Sequence, residues 1–402
     1  MAFCRFVLTI LRPMKYFSHL NTAVQLTEEY SGQQSFGDYA REFFRAHKKY
    51  GSTDRRQILQ LCYAGFRTGG ALPDHSAAER IMTGLFLCSP EPNVLLQHLK
   101  PEWNDKSSLS LEEKLQLVNV DPEKIFPWKE ELSEGMETSA FNVSFLVQPD
   151  LFLRLRPGKE KFVKEKLREA GIPFTEIGAG TLSLPNASKV DAALEADKEA
   201  VVQDLSSQRI AHFVQRAGEH RNIGNAWDCC AGSGGKSIMA FDTIGHIQLT
   251  VSDIRESILE NLQQRFRVAG IKNYSAFVAD LAAAKFDASH YLSAKTRFDL
   301  IIADLPCTGS GTWGRSPEHL SFFDAAQIDR FSLLQKNIVS NVIPLLSPGG
   351  AFLYITCSVF KKENEELVQF IQQEHGLKLT HKELLRGYEE KADTLFAALF
   401  TA

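Results

Sequence analysis

Two cysteines in the carboxyl-terminal half of this 402-residue chain stand where side chains do chemistry. Cys307 lies in DLPCTGSGT, which opens with Asp304, and Cys357 lies in TCS, just past the apolar runs FDLIIAD and FLYIT. Such runs read as buried strands, so both sulfurs are expected just beyond strand ends and pointing into one crevice. Polar loops at a ligand-facing edge are poor places to store small apolar side chains, and a thiolate is a strong nucleophile. The pair is therefore a candidate for covalent catalysis. The other five cysteines read as packing groups: Cys4, Cys62 and Cys88 as small core hydrophobes, Cys229 and Cys230 as the close of a buried strand.

A second constellation runs from Asp228 to Ser237 as DCCAGSGGKS. Gly232, Gly234 and Gly235 let the backbone turn sharply and approach a ligand, and the helix that follows offers free amides. A nucleotide-hydrolysing phosphate loop requires glycine where Cys230 stands, and a dinucleotide fingerprint requires one where Ser237 stands, so neither motif is complete. An S-adenosyl-L-methionine site tolerates this variety, and it also explains two later acids. Asp253 ends the next strand about twenty residues on, where a carboxylate can hold ribose hydroxyls, and Asp280 follows the strand after that in FVAD. The loop residues Cys230, Ala231, Gly232, Ser233, Gly234, Gly235 and Lys236, with Asp253, Asp280 and Asp304, are the candidate cofactor contacts. Lys236 suits either lowering a thiol's pKa or positioning a substrate, and it also suits a plain helix-start lysine.

These residues need a scaffold that brings successive strand ends together. From Gln203 onward apolar strands alternate with helical patterns: NAWDCC, QLTVSD, FDLIIADLPC and AFLYITCS, with helices from about Lys236, around Gln327–Leu346 and in ENEELVQFIQQ. Alternation of this kind implies an α/β, doubly wound, mostly parallel Rossmann-like sheet over residues 203–402. Residues 140–202 read as a small α+β module, with LFLRLRP and TLSLP flanking an amphipathic helix that Gly171 stops. Residues 14–135 read as an amino-terminal helical domain, since apolar positions such as Ile58, Leu61 and Cys62 keep helical spacing. Within it the stretch from Arg41 to Arg67 concentrates Arg41, Arg45, Lys48, Lys49, Arg55, Arg56 and Arg67 among aromatics. That suits either an RNA-backbone contact or a solvated helix face.

Composition narrows the classes. A hydrophobic fraction of 44% with 23% charged residues fits a globular chain and not a disordered one. A net charge of −4 excludes a uniformly basic nucleic-acid binder, leaving local patches to make any such contact. Seven scattered cysteines with no C-x-x-C pair argue against a disulfide framework and a metal site, and point to a reducing cytoplasm. No apolar run approaches membrane-span length. The start MAFCRFVLTILRP has some signal-peptide character, but Arg5 interrupts it and no cleavage site follows, so Met14 is the expected initiator.

DLPCTGSGT together with YITCS resembles the paired-cysteine signature of the Sun (RsmB-type) family of RNA cytosine-C5 methyltransferases. The likeness runs from about Val202 to the end through VQDLSSQ, DCCAGSGGKS, VSDIR, the Arg315-Ser-Pro-Glu segment, KKENEELV and ADTLFAALF, and STDRRQILQLCYAGFR resembles the family's helical domain. One departure is the loop itself, where the family's pattern is closer to C-A-A-P-G-G-K-T. The resemblance implies a methyl transfer from S-adenosyl-L-methionine to carbon 5 of cytosine. It assigns Cys357 as the nucleophile toward carbon 6, Cys307 to product release, Asp304 to the base near N3 and the exocyclic amine, Arg255 to the cofactor and Arg315 to RNA. The expected substrate is ribosomal RNA, with transfer RNA as the alternative, and a cytosine that is single-stranded or flipped. A monomer is expected. Two rivals are an idle RNA-binding scaffold, disfavoured because Asp304, Cys307 and Cys357 are all intact, and a DNA methyltransferase, which carries its nucleophile in the Pro-Cys motif alone.

Overall fold

The computed structural model describes residues 2–219 and 221–402, with side chains described from Lys15 on. The readings of Cys4 and of Met14 concern side chains outside the described residues. The chain divides into two compact units. One comprises Met1–Lys129, Glu137–Gln148 and Trp313–Asp324, and the other Glu130–Met136, Pro149–Thr312 and Ala325–Ala402.

The first unit is helical. Its main elements include Ala2–Glu29, Phe36–Ala46, Ser52–Phe66 and Ala77–Cys88. Sequence decides the starts: Ser35 accepts from the Asp38 amide, and Ser76 and Glu79 close a reciprocal cap on Ala77–Cys88. Leu26, Tyr30, Phe36, Phe44, Ile58, Leu61, Ile81 and Phe86 form its core. The segment Trp313–Asp324, which sequence order assigns to residues 203–402, packs here: Trp313 lies 5.8 Å from Phe126 and Phe322 lies 4.9 Å from Tyr30 between ring centroids. Aromatic side chains carry that segment into an aromatic core, which no strand–helix alternation discloses.

The second unit holds two sheets. Strands β1 (Leu151–Leu155), β2 (Thr175–Gly178), β3 (Thr181–Leu184) and β4 (Ala200–Val202) form an antiparallel sheet in the order β2-β3-β1-β4. The helix Glu160–Glu169 buries Val163 and Leu167 against its Leu153, Leu155, Leu182 and Leu184. The larger sheet contains β5 (Asn225–Asp228), β6 (Gln248–Asp253), β7 (Tyr274–Val278), β8 (Phe298–Asp304), β9 (Leu346–Thr356), β10 (Lys378–Leu385) and β11 (Leu395–Thr401). Their order is β10-β11-β9-β8-β5-β6-β7. β5 through β9 pair parallel, and β11 inserts antiparallel between β9 and β10. The near-continuous apolar β8 and β9 are buried on both faces, as helix-covered parallel strands must be. Strand order reverses at β5, whose neighbours are β6 and β8, so a crevice opens above the carboxyl ends of those strands.

Candidate active site

A cavity of about 550 Å³ occupies that crevice. Of the residues singled out by sequence, Cys230, Gly232, Asp253, Arg255, Asp280, Asp304, Cys307 and Cys357 all line it. They come from the ends of β5, β6, β7, β8 and β9, so one topological feature gathers residues up to 127 positions apart, from Cys230 to Cys357.

At the cofactor end, the loop after β5 is held by its backbone. The Ala231 amide donates to the Ser252 carbonyl at 2.9 Å, and the Gly232 amide donates to Asp253 Oδ2 at 3.0 Å. Gly234 has φ +84°, and a Cβ there would sit 2.9 Å from both Leu262 and Phe266, so only glycine fits. Ser233 turns outward, where its carbonyl accepts from Arg265 at 2.8 Å. Ala231, Ser233, Gly234 and Gly235 therefore shape the loop and do not line the cavity. Cys230, read both as closing a buried strand and as a cofactor contact, is half-buried and lines the cavity, as does the buried Cys229.

Asp253 is 6% exposed, and burial works against its charge. Hydrogen bonds from the Arg255 side chain and amide outweigh that burial and lower its pKa. Arg255 Nε donates to Oδ1 at 3.0 Å, and its side chain is 62% exposed. Those carboxylate positions suit a ribose diol once Arg255 releases them. Asp280 accepts from the Ala282 amide at 3.0 Å. Two aspartates, the Gly232 turn and the apolar walls Ile254, Leu281 and Ile338 fit an adenosine-bearing sulfonium cofactor.

At the reacting end, the sulfurs of Cys307 and Cys357 lie 3.2 Å apart. Lys236 Nζ donates to Asp304 Oδ2 at 2.5 Å. Burial opposes the lysine's charge, but the Asp304 carboxylate and the nearby Cys357 raise its pKa, so it is a fixed cation. Lys236 thus stands at the helix start with its ammonium paired to Asp304. The Cys307 thiol's pKa is raised by its hydrogen bond with Cys357, by burial, and by the charges of Cys357 and Glu363. Gly311 brings the two loops together: its amide donates to the Cys357 carbonyl at 2.9 Å, and a Cβ would lie 2.0 Å from the Thr394 carbonyl.

Two groups in the site lie inside motifs quoted from the sequence but were given no role there. Asp228, at the end of β5, is fully buried, and its Oδ2 accepts from Ser237 at 2.6 Å. Burial pushes its pKa up to about 7 against that hydrogen bond. Glu363 is fully buried beneath the cysteine loops. Among the described residues no cluster of three or more potential ligands could hold a metal ion, and no helix is long and apolar enough to cross a membrane.

The basic residues lie in the helical unit. Arg41 and Arg45 sit on Phe36–Ala46, Lys48 and Lys49 in the turn, and Arg55 and Arg56 on Ser52–Phe66. Arg41 pairs with Asp38 at 2.6 Å, and Arg55 donates to the Tyr50 carbonyl at 3.0 Å. Arg45, Lys48, Lys49, Arg56 and Arg315 are exposed. Arg67 departs from the basic-face reading: it is 4% exposed and donates to the Phe145 and Gly314 carbonyls. Arg55, Arg56, Tyr50, Tyr63 and half-buried Cys88 line a separate cavity of about 930 Å³ in that unit.

A parallel sheet with a reversed strand near one edge, a glycine turn after its first strand and an acid after its second define a Rossmann-like methyltransferase fold. Residues 218–395 match the model of the 16S rRNA methyltransferase RsmB/F family. Its methyltransferases use S-adenosyl-L-methionine. The chain is 32% identical over 182 residues to ribosomal RNA small subunit methyltransferase B of Xanthomonas campestris pv. campestris, covering 44% of this chain and 39% of that one. It is 25% identical over 343 residues to the probable ribosomal RNA small subunit methyltransferase B of Synechocystis sp., covering 80% of this chain and 73% of that one. The crystal structure of PH0851 superposes with a TM-score of 0.66 at 19% identity, covering 97% of this chain and 99% of that one. The matched stretch thus spans about two fifths of the first relative's length.

Proposed function

We propose that the chain is an RNA cytosine-C5 methyltransferase of ribosomal RNA, acting in the cytoplasm as a monomer, with Cys357 forming a covalent adduct to the base. The observation that carries this reading is the pair of sulfurs 3.2 Å apart in the cavity that the cofactor loop also lines. Carbon 5 of cytosine is a weak nucleophile, and one thiolate must add to carbon 6 before carbon 5 can attack an electrophile. A second thiol within contact distance then has a purpose that no single-cysteine site provides.

S-adenosyl-L-methionine supplies an activated methyl group on a sulfonium. Cys357 Sγ bonds to carbon 6, and the electron pair of the C5=C6 bond moves toward carbon 5 and the ring. Asp304 accepts from the exocyclic amine, and the Lys236 cation beside it stabilises charge that accumulates near N3. After carbon 5 is methylated, its proton passes to solvent, the C5=C6 bond re-forms and the C6–S bond breaks. Cys307 donates to the departing Cys357 sulfur. The exposed Arg45, Lys48, Lys49, Arg56 and Arg315 hold the phosphates of a strand whose target base is unpaired.

The test is a denaturing gel with labelled RNA and cofactor. Cys307→Ala is expected to methylate once and remain attached to RNA, Cys357→Ala to form no attached species, and the double variant to match Cys357→Ala. An attached species in Cys357→Ala alone reverses the two roles. Absence of an attached species in both single variants, with methylation retained in both, rejects covalent catalysis.

A further inference from the structure

We propose that Glu363 is a positioning residue of the two-cysteine site: its buried carboxylate ties the loop after Cys307 to the loop after Cys357 and sets a carboxylate behind the Cys307 loop. The division of labour between the cysteines rests on the function proposed above. The brace itself is visible in the protein alone.

Glu363 is 0% exposed and has no cationic partner within salt-bridge distance among the described ion pairs. Four donors converge on it instead. Oε1 accepts from the Thr308 amide at 2.9 Å and from Gln335 Nε2 at 3.0 Å. Oε2 accepts from Thr308 Oγ1 at 2.6 Å and, in a very short contact, from Ser358 Oγ. Thr308 directly follows Cys307, and Ser358 directly follows Cys357. One carboxylate therefore spans both loops, and Gln335 locks the arrangement by donating also to the Pro306 carbonyl at 2.9 Å.

Four donors match the full acceptor capacity of an ionised carboxylate. Burial raises the Glu363 pKa above its ordinary value, and the hydrogen bonds from Ser358, Thr308 and Gln335 limit that rise without cancelling it. As an anion the group disfavours a neighbouring thiolate. Cys307 feels that charge. The groups around it are Cys357, Glu363, Tyr354 from β9, whose hydroxyl donates to the Glu363 carbonyl, and the Lys236–Asp304 pair, whose cation is coupled to Cys357. The Glu363 carboxylate raises the Cys307 pKa, so that thiol resists ionisation, as a group that gives a proton to a departing sulfur must.

The experiment uses the full chain and needs no RNA for its first arm. In a Cys357→Ala background, the pH profile of Cys307 alkylation by iodoacetamide is read by peptide mass spectrometry with and without Glu363→Gln. The midpoint is expected to fall by about one unit when the charge is removed. An unchanged midpoint overturns the electrostatic role. In the second arm, with both cysteines present, Glu363→Gln is expected to accumulate RNA-attached enzyme, as Cys307→Ala does, with KM for RNA unchanged and kcat lowered at least tenfold. Thr308→Val with Ser358→Ala cuts the brace and leaves the carboxylate. That pair is expected to lower kcat and, since it removes hydroxyl donors that favour the charged carboxylate, to lower the Cys307 midpoint in the same direction, and it serves if Glu363→Gln does not fold. Wild-type turnover in the pair overturns the brace. Absence of attached RNA even in Cys307→Ala counts against covalent methyl transfer, and the alkylation arm then still decides the role of Glu363.

Discussion

Asp228 gives the catalytic domain a stability that falls as pH rises. Its carboxyl is fully buried, with Oδ1 lacking any partner, and burial raises its pKa from 3.8 to about 7. In the unfolded chain the group ionises near its ordinary value, so between about pH 4 and 7 the folded state holds a proton that the unfolded state has lost. Stability from this residue is complete below pH 4, falls by about 1.4 kcal/mol per pH unit, and is lost above pH 7. The full window is worth about 4 kcal/mol, of which about 2–3 kcal/mol falls between pH 5 and 7. Asp228→Asn keeps an oxygen for Ser237 and cannot ionise. Its amide lacks a partner, which adds a cost that does not depend on pH. Urea unfolding of both proteins from pH 5 to 8, followed by hydrogen exchange in the β5 peptide, isolates the difference. The variant is expected to gain about 2–3 kcal/mol relative to wild type from pH 5 to 7. Parallel profiles would refute a neutral buried carboxyl in the native state.

Asp253→Ala is expected to weaken S-adenosyl-L-methionine binding by about 1.5–3 kcal/mol for each lost charged hydrogen bond, read by calorimetry; equal affinity removes Asp253 from the cofactor site. Replacing Lys48, Lys49, Arg55 and Arg56 with Ala is expected to reduce the salt dependence of RNA binding by about 0.7 per lost phosphate contact. An identical slope makes them a solvated face. Gly234→Ala combines a left-handed φ with contact at 2.9 Å and is expected to cost on the order of 1–3 kcal/mol in thermal unfolding and to abolish cofactor binding; a wild-type Tm excludes strain at that turn.

The catalytic sheet was legible because its strands are short apolar runs ending in acids, glycines or cysteines, a pattern that local periodicity preserves. Helix ends were legible where a residue type forces them, as at Gly171, whose φ is +66°. The segment Trp313–Asp324 was not, since its aromatics serve a core formed by residues nearly 200 positions earlier, from Phe126 to Phe145. Arg67 was misleading for a similar reason: in a run of exposed cations its burial depends on carbonyls contributed by Phe145 and Gly314. Glu363 reads in sequence as the first turn of ENEELVQFIQQ, but the helix begins at Glu365, and Glu363 turns inward ahead of it. Charged residues at a helix start are commonplace on surfaces, so only the fold separates this one from Glu366.

The meeting of the two sulfurs follows from adjacent strand ends and from the contacts between the loops that leave them. β8 and β9 are adjacent and parallel, with Asp304 opposite Ile355. Cys307 is three residues beyond that pair and Cys357 two, so both lie in loops past the same edge of the sheet, where the Gly311 amide's bond to the Cys357 carbonyl holds one loop against the other. Asp304 closes the paired stretch and faces the same crevice, which places the Lys236–Asp304 pair beside the sulfurs without any contact specific to them. Strand pairing thus brings the two loops together and does not distinguish their sulfurs. In the proposed division of labour the distinction comes from charge placed outside the strands, on Lys236 after β5 and Glu363 after β9.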